Sequence, residues 1–186
     1  MINYKIINDS IAYYNNWGFE RIEVPWTVSE YVENLTKPKE AVSCKLQYND
    51  KCLVGSGEQS FLYLYLKEFL PKGQYQAVTP CFRFENYDYL HNKYFIKNEL
   101  IKTDIVNHNE LVHIVDHCLK FFRNYLPDCV SIVTEQGFDI EWNGYELGSY
   151  GIRKNEFLEY IYATGVAEPR LSKLINIKNG ISHKED

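Results

Sequence analysis

The stretch CFRFENYDYLHNKYFIKNEL, residues 81–100, carries the most informative pattern in the sequence. It lies where two extended segments, predicted over 75–84 and 94–106, are separated by a polar and aromatic loop. Arg83 and Glu85 are two residues apart, so on a strand their side chains project from the same face. The arginine fork can bind a phosphate through two hydrogen bonds, and the carboxylate can accept one from an amine. The pair therefore suits a ligand that presents both groups.

The second half of this stretch adds three residues at steps of four, His91, Phe95 and Glu99. Phe95 falls on the returning strand, where its ring is placed to stack on a nucleotide base. A simpler interpretation stays open, because a surface Arg–Glu pair beside a core phenylalanine would give the same spacing. The spacing alone does not decide between a nucleotide site and an ordinary strand pair.

Further along the chain, EQGFDIEWNGYELGSYGIR predicts an acidic hairpin. Asn143-Gly144 is typical of a two-residue turn, and the flanking strands are predicted over 138–142 and 145–150. Three carboxylates gather near this turn: Asp139, Glu141 and Glu146. Carboxylates with open positions suit Mg²⁺ that is bound jointly with substrate phosphates. An acidic hairpin edge that prevents strand-to-strand aggregation would have the same composition.

Two glycine-containing stretches precede predicted helices. In YIYATGVAEPRLSKLI a strand over 158–164 is expected to end at Gly165, and Arg170 opens a helix over 168–177. Glycine lets the backbone approach a ligand, and a helix N-terminus favours an anion. A solvated arginine after a capping turn is the alternative. In GSGEQS, Glu58 opens the helix over 58–69, where it either complements the helix dipole or accepts from a substrate ammonium group.

The remaining pattern completes an α+β architecture. Helices are predicted over 3–16 and 109–125, and a hairpin is predicted from 41–48 and 52–55. Six or more strands joined mostly by hairpins, with few helices, indicate an antiparallel β-sheet flanked by helices. The 186 residues are expected to form a single domain, 1–186.

Composition excludes several classes of protein. The net charge of −5 disfavours extensive contacts with RNA, although local contacts remain compatible with it. The five cysteines include no CxxC pair, which argues against a disulfide framework and a zinc knuckle and favours buried thiols. No apolar run approaches the roughly 20 residues of a membrane span, and the N-terminus does not read as a signal peptide. A cytoplasmic protein without membrane contact is therefore expected.

In this order along the chain, the stretches resemble the catalytic core of class II aminoacyl-tRNA synthetases, which carry three motifs on an antiparallel sheet. SIAYYNNWGFERIEVP looks like the first motif, a helix and a strand ending in a proline, here Pro25, which forms the homodimer interface in that family. The stretch 81–100 looks like the second motif, and YATGVAEPRL looks like the third. The acidic hairpin and GSGEQS are similar to elements of the seryl, prolyl, threonyl and glycyl subgroup. The resemblance covers residues 5–177.

The resemblance implies a nucleotide site. It places Arg83 at the α-phosphate of ATP, Glu85 at the adenine amino group and His91 on the γ-phosphate side. Phe95 would stack on adenine. Arg170 would hold the γ-phosphate and also stack on adenine. The two arginines are then the catalytic candidates.

The resemblance also implies an amino-acid site and a metal site. Glu58 would receive the amino acid's ammonium group. The candidate pocket walls are Ser149, Tyr150 and Thr164. Mg²⁺ would be held by Glu146 together with Asp139 or Glu141.

The implied activity is ATP-dependent activation of an amino acid, by a homodimer, with transfer to tRNA or another acceptor. A non-catalytic paralogue that binds an amino acid or nucleotide and regulates a partner is the alternative, and a subunit that works with a second chain is a third. The third motif departs from the family, with Ala167 where a glycine is usual and Pro169 where an acid is usual. No anticodon-binding domain is expected within this chain.

Overall fold

The computed structural model describes residues 1–47, 49–84 and 89–181. Helices in these ranges are Tyr4–Asn16 (α1), Glu30–Asn34 (α2), Gly57–Leu66 (α3), His108–Arg123 (α4) and Arg170–Lys178 (α5). The first strands are Glu20–Arg21 (β1), Thr27–Ser29 (β2), Cys44–Lys45 (β3), Lys51–Leu53 (β4) and Gln74–Phe82 (β5). The others are Tyr94–Lys102 (β6), Val130–Thr134 (β7), Gly137–Trp142 (β8), Tyr145–Lys154 (β9) and Glu159–Glu168 (β10).

Seven strands form one large sheet in the order β1-β5-β6-β10-β9-β8-β7. Every neighbouring pair is antiparallel except β1 and β5, which run parallel. A second sheet of three short strands has the order β2-β4-β3. The predicted α+β class, an antiparallel sheet flanked by helices, is confirmed. None of the helices in the described ranges has the length and apolar character needed to cross a bilayer.

The large sheet separates two hydrophobic cores, because successive residues of a strand face opposite sides. On β10, Ile161 and Ala163 pack into the core formed with α1, α4 and α5. Tyr160 and Tyr162 face the other core, which includes residues of α2 and α3. The second face is the one that carries the candidate site.

Two β-bulges interrupt this alternation. In β10 the register shifts between Thr164 and Val166, so Gly165 is an extra residue opposite β6. In β9 Leu147 is extra, because Ile140 pairs with Gly148 while Glu141 pairs with Glu146. Beyond each bulge the alternation is shifted by one residue, so side chains that would have faced one side of the sheet face the other.

The strand predicted to end at Gly165 instead continues to Glu168, and that prediction was wrong. Glycine is required at this bulge by packing rather than by a ligand. An added Cβ would lie 2.9 Å from the carbonyl oxygen of Asn98 and 2.9 Å from the ring of Tyr14. The Tyr14 hydroxyl donates to the Gly165 carbonyl at 2.9 Å.

Other element predictions differ mainly at their ends. The alternating segment before Pro25 forms only the two residues of β1, which pair with β5 at one edge of the sheet. The segment after Gly137 matches more closely, since Asn143 and Gly144 adopt φ values of 51° and 80°. Positive φ at both positions is what a type I′ hairpin turn requires.

The cysteines are all free thiols, as expected, and differ in accessibility. Burial raises the pKa of Cys52 and Cys81 to about 11 and that of Cys118 to about 12; it raises the pKa of Cys44 as well, but the Cys44 side chain is only half-buried. Because the thiolate is the reactive form, we expect iodoacetamide at pH 8 to label Cys44 first in the native protein. Mass spectrometry of the labelled protein checks this, with a Cys44→Ser variant as the control. Rapid labelling of Cys81 would contradict it.

Candidate active site

A cleft of about 250 Å³ opens on the second face of the sheet. Its walls come from β5, β6, β9 and β10, from the start of α3, and from the segment 33–42. A smaller cavity of about 80 Å³ adjoins it. Arg83 and Arg170 line both cavities, although 87 residues separate them in sequence (170 − 83). The fold therefore brings these two guanidinium groups to one place.

Arg83 lies directly after β5, which ends two residues earlier than predicted. Its backbone N–H donates to the Lys93 carbonyl at 2.9 Å, so the pairing with the returning segment continues for one residue. Its side-chain Nε donates to the Gly55 carbonyl at 2.9 Å. The guanidinium carbon lies 5.4 Å from the centroid of the Phe95 ring, within cation–π range. These two contacts orient the guanidinium over the cleft.

Phe95 and His91 complete this end of the site. Phe95, the second residue of β6, lines both cavities, and His91 lines the smaller one. Four of the five residues predicted to bind ATP therefore lie together, namely these two and the two arginines. Glu85, the fifth, lies outside the described residues.

Arg170 is the first residue of α5 and directly follows Pro169. Its Nη1 donates to a carboxylate oxygen of Glu146 at 3.1 Å and to the Glu146 carbonyl at 3.3 Å. The carboxylate predicted to bind a metal is thus paired with the arginine predicted to bind phosphate. Glu168, near the usual acidic position of the third motif, points elsewhere: its carboxylate accepts from Asn3 and Ser172.

Glu58, predicted to receive an ammonium group, already holds a cation. Both of its carboxylate oxygens accept from Arg153 Nη1, at 2.7 and 2.6 Å. The Tyr160 hydroxyl donates to the same carboxylate at 2.8 Å. Arg153 and Tyr160 are register partners on β9 and β10, which places both beside the start of α3. Burial raises the pKa of Glu58, and the Arg153 charge opposes that shift.

Two of the three predicted pocket walls face the cleft. Ser149 and Thr164 line it, and the Ser149 backbone N–H donates to the Thr164 hydroxyl at 3.3 Å. The assignment of Tyr150 was wrong. Its side chain is fully buried in the core on the opposite face, where its hydroxyl donates to the Thr164 carbonyl at 2.9 Å. Adjacent strand residues point to opposite sides, so Ser149 and Tyr150 cannot share a wall.

The three acidic residues of the hairpin do not form a ready metal site. In the part of the chain that the structure describes, no three acidic, histidine or cysteine side chains are arranged to hold a metal ion. The Glu146 carboxylate is directed to Arg170 instead. Burial raises the pKa of Asp139, the Ser149 hydroxyl opposes that shift, and the charges of Glu146 and Glu141 add to it. The three carboxylates therefore do not form a complete set of metal ligands on their own.

Sequence reasoning missed a buried polar network on the floor of the cleft. Lys97 Nζ lies 2.8 Å from one Glu99 oxygen, and the Ser56 hydroxyl donates to the other at 2.7 Å. Lys97 lines the cleft, and the Glu99 side chain is 1% exposed. The sequence contained a sign of this network: Phe95, Lys97 and Glu99 are two residues apart on one predicted strand, so their side chains must share a face.

Comparison with known sequences finds no match, whereas comparison with solved structures finds clear ones. No protein-family model matches the chain, and neither does any curated protein. A pyrrolysyl tRNA synthetase from Desulfitobacterium hafniense, PylSc, superposes with a TM-score of 0.71 at 15% identity, over 96% of this chain and 67% of that one. The fold is that of a class II tRNA synthetase catalytic core. Likeness at this identity shows the fold alone.

Two seryl enzymes support the same assignment of the synthetase-like fold. The seryl-tRNA synthetase from Pyrococcus horikoshii, solved in complex with ATP, gives a TM-score of 0.68 at 16% identity, over 91% of this chain and 48% of that one. The cytoplasmic serine-tRNA ligase from Naegleria fowleri, solved with AMP, gives 0.68 at 15% identity, over 95% and 52%. This chain therefore spans about half the length of the seryl enzymes.

Proposed function

We propose that this synthetase-like protein activates an amino acid with ATP, forming an aminoacyl-adenylate and pyrophosphate. The observation that carries the proposal is the meeting of Arg83 and Arg170 in one cleft beside Phe95. Two cations and an aromatic ring suit the phosphates and the base of a nucleoside triphosphate. Structural neighbours solved with ATP and AMP support a nucleotide as the ligand. The activated group then passes to tRNA or to another acceptor.

The reaction needs no side-chain nucleophile. A carboxylate oxygen of the amino acid attacks the α-phosphorus, a new P–O bond forms, and the bond to the bridging oxygen breaks as pyrophosphate leaves. The protein contributes alignment and charge neutralisation. Arg83 offsets the charge that develops on the α-phosphate, and Arg170 offsets that of the leaving pyrophosphate. Arg170 must then exchange its bond to Glu146 for one to phosphate.

Mg²⁺ enters this proposal together with ATP. Magnesium is usually held by one or two carboxylates plus phosphate oxygens, so a complete protein cage is not required. Glu146 lines the cleft, and Asp139 lies beside Ser149 on the neighbouring strand, so these two carboxylates would hold the ion. When bound, the ion neutralises charge on the phosphates.

A homodimer is part of the proposal. The segment after β1 that resembles the first motif leads to Trp26, whose side chain is 59% exposed. Aromatic residues such as tryptophan are enriched at protein–protein interfaces. Sedimentation or mass photometry should give twice the chain mass at micromolar concentration. A monomer alone at that concentration would contradict the proposed dimer.

The activity is tested by ATP–pyrophosphate exchange. The full chain is assayed with Mg²⁺-ATP and each of the twenty amino acids, while circular dichroism establishes that the protein is folded. Exchange with one or a few amino acids is the expected result. Silence with all twenty in folded protein would overturn the catalytic proposal.

A second candidate function is a non-catalytic protein that binds an amino acid or nucleotide and regulates a partner. It is favoured by the pairing of Glu58 with Arg153 and by the diversion of Glu168 to Asn3 and Ser172. Calorimetry separates the two candidates. A regulator binds amino acid without exchange activity, whereas the enzyme binds both Mg²⁺-ATP and the amino acid.

A further inference from the structure

The Arg153 guanidinium is held in orientation by two neighbours, the Glu58 carboxylate and the Tyr162 ring. Its Nη1 donates to both oxygens of Glu58, at 2.7 and 2.6 Å. Its guanidinium carbon lies 4.1 Å from the centroid of the Tyr162 ring, so the cation is packed on an aromatic face. Glu58 is itself held by the Tyr160 hydroxyl. This arginine is therefore preorganised before any ligand arrives.

The way in which Glu58 is bound leaves part of the guanidinium unused. Within the described ranges, the two hydrogen bonds from the Arg153 side chain to this carboxylate both run from Nη1, and the Tyr160 hydroxyl lies close enough to interact with the same guanidinium. An arginine has five N–H donors, and the edge formed by Nε and Nη2 is one of its two-donor forks. The Arg153 side chain is 33% exposed and lines the cleft, whereas Glu58 is 6% exposed. Arg153 is thus the accessible member of the pair.

The other cations around the amino-acid end of the cleft are already matched. Lys97 is paired with Glu99, Lys37 Nζ donates to the Ser43 hydroxyl and lies 4.0 Å from a Glu33 oxygen, and Arg170 is assigned to phosphate in the proposed reaction. In the proposed reaction the substrate's α-carboxylate must reach the α-phosphate beside Arg83. A rigid two-donor fork on Arg153 then remains for a second anionic group, and a carboxylate matches it in shape and charge.

We propose that the amino-acid pocket selects a substrate with a carboxylate in its side chain, which the Nε–Nη2 edge of Arg153 binds. The inference rests on the proposed function of this cleft and names its substrate class. A neutral side chain of equal size would leave the fork desolvated and incompletely paired, which penalises the wrong substrate. Glu58 acts here as a positioning residue that fixes the plane of Arg153.

The test is direct binding to the full chain, without ATP, measured by isothermal titration calorimetry. L-aspartate and L-glutamate are compared with L-asparagine and L-glutamine, which share the α-carboxylate and differ only in the side chain. We expect one acid to bind at least about tenfold more tightly than its amide. Equal or tighter binding of the amides, or no binding of either acid, would overturn the inference.

A variant tests the assigned residue. Arg153→Lys keeps a cation opposite Glu58 but removes the planar fork, so the acid should lose about tenfold in affinity while the amide changes little. Unchanged acid binding in this variant would overturn the assignment to Arg153. If the variant fails to fold, the acid–amide comparison on the natural sequence still decides. Exchange with a neutral amino acid alone would sink this inference and leave the proposed activity standing.

Discussion

Replacing Arg83 with alanine is expected to lower pyrophosphate exchange by about 10²–10³-fold, the effect of removing a preorganised donor from a developing oxyanion. The loss should appear mainly in kcat, because the interaction strengthens as charge develops on the α-phosphate. Arg83 is exposed and its recorded side-chain hydrogen bond goes to the Gly55 carbonyl. The thermal midpoint should therefore change little. Exchange kinetics and a thermal melt measure both quantities.

Two matched variants make this result interpretable. Arg83→Lys retains the charge but not the fork, so its exchange rate should lie between those of the natural protein and Arg83→Ala. Arg21→Ala removes an exposed arginine from β1 and should leave the rate unchanged. Full activity of Arg83→Ala would remove Arg83 from the proposed mechanism.

Replacing Arg153 with methionine is expected to destabilise the protein by about 3–5 kcal/mol, because it leaves the Glu58 carboxylate buried without its cation. The Tyr160 hydroxyl would be the remaining recorded side-chain donor to that carboxylate. The free energy of unfolding, measured by urea titration, gives the effect. A loss below about 1 kcal/mol, the range of exposed ion pairs, would contradict it.

The destabilisation should also depend on pH. Burial raises the pKa of Glu58 from its ordinary value of 4.5, the Arg153 charge opposes this, and the nearby Glu99 charge adds to it. Without Arg153 the opposing effect is gone, so the folded variant binds a proton at a pH where the unfolded chain has released it. Stability then falls as pH rises through this window. The Arg153→Met variant should be closer to the natural protein at pH 5 than at pH 8.

The double variant Glu58→Gln, Arg153→Met separates burial of an unpaired charge from loss of packing. With no charge left at position 58, we expect it to recover most of the lost stability. The coupling energy from the four proteins measures the interaction between the two side chains. Strictly additive losses would show that the pair is not coupled.

Much of the fold followed from local patterns. The spacing of Phe95 and Glu99 on a strand, the Asn143-Gly144 turn and the apolar helix after Ser56 each depend on residues close in sequence. Such patterns correctly predicted the antiparallel sheet. They also drew attention to Arg83 and Arg170, although local spacing alone could not show that the two residues lie in one cleft.

Most element types, the tight turn and the residues that alternate onto one face of a strand can be predicted from local sequence, because these depend on backbone periods of a few residues. Tertiary structure decided what those faces meet. The bulges at Leu147 and Gly165 arise from pairing between strands, and Tyr150 points into the core while its neighbour lines the cleft. Arg153 reaches Glu58 across 95 residues of chain, a contact that only folding creates.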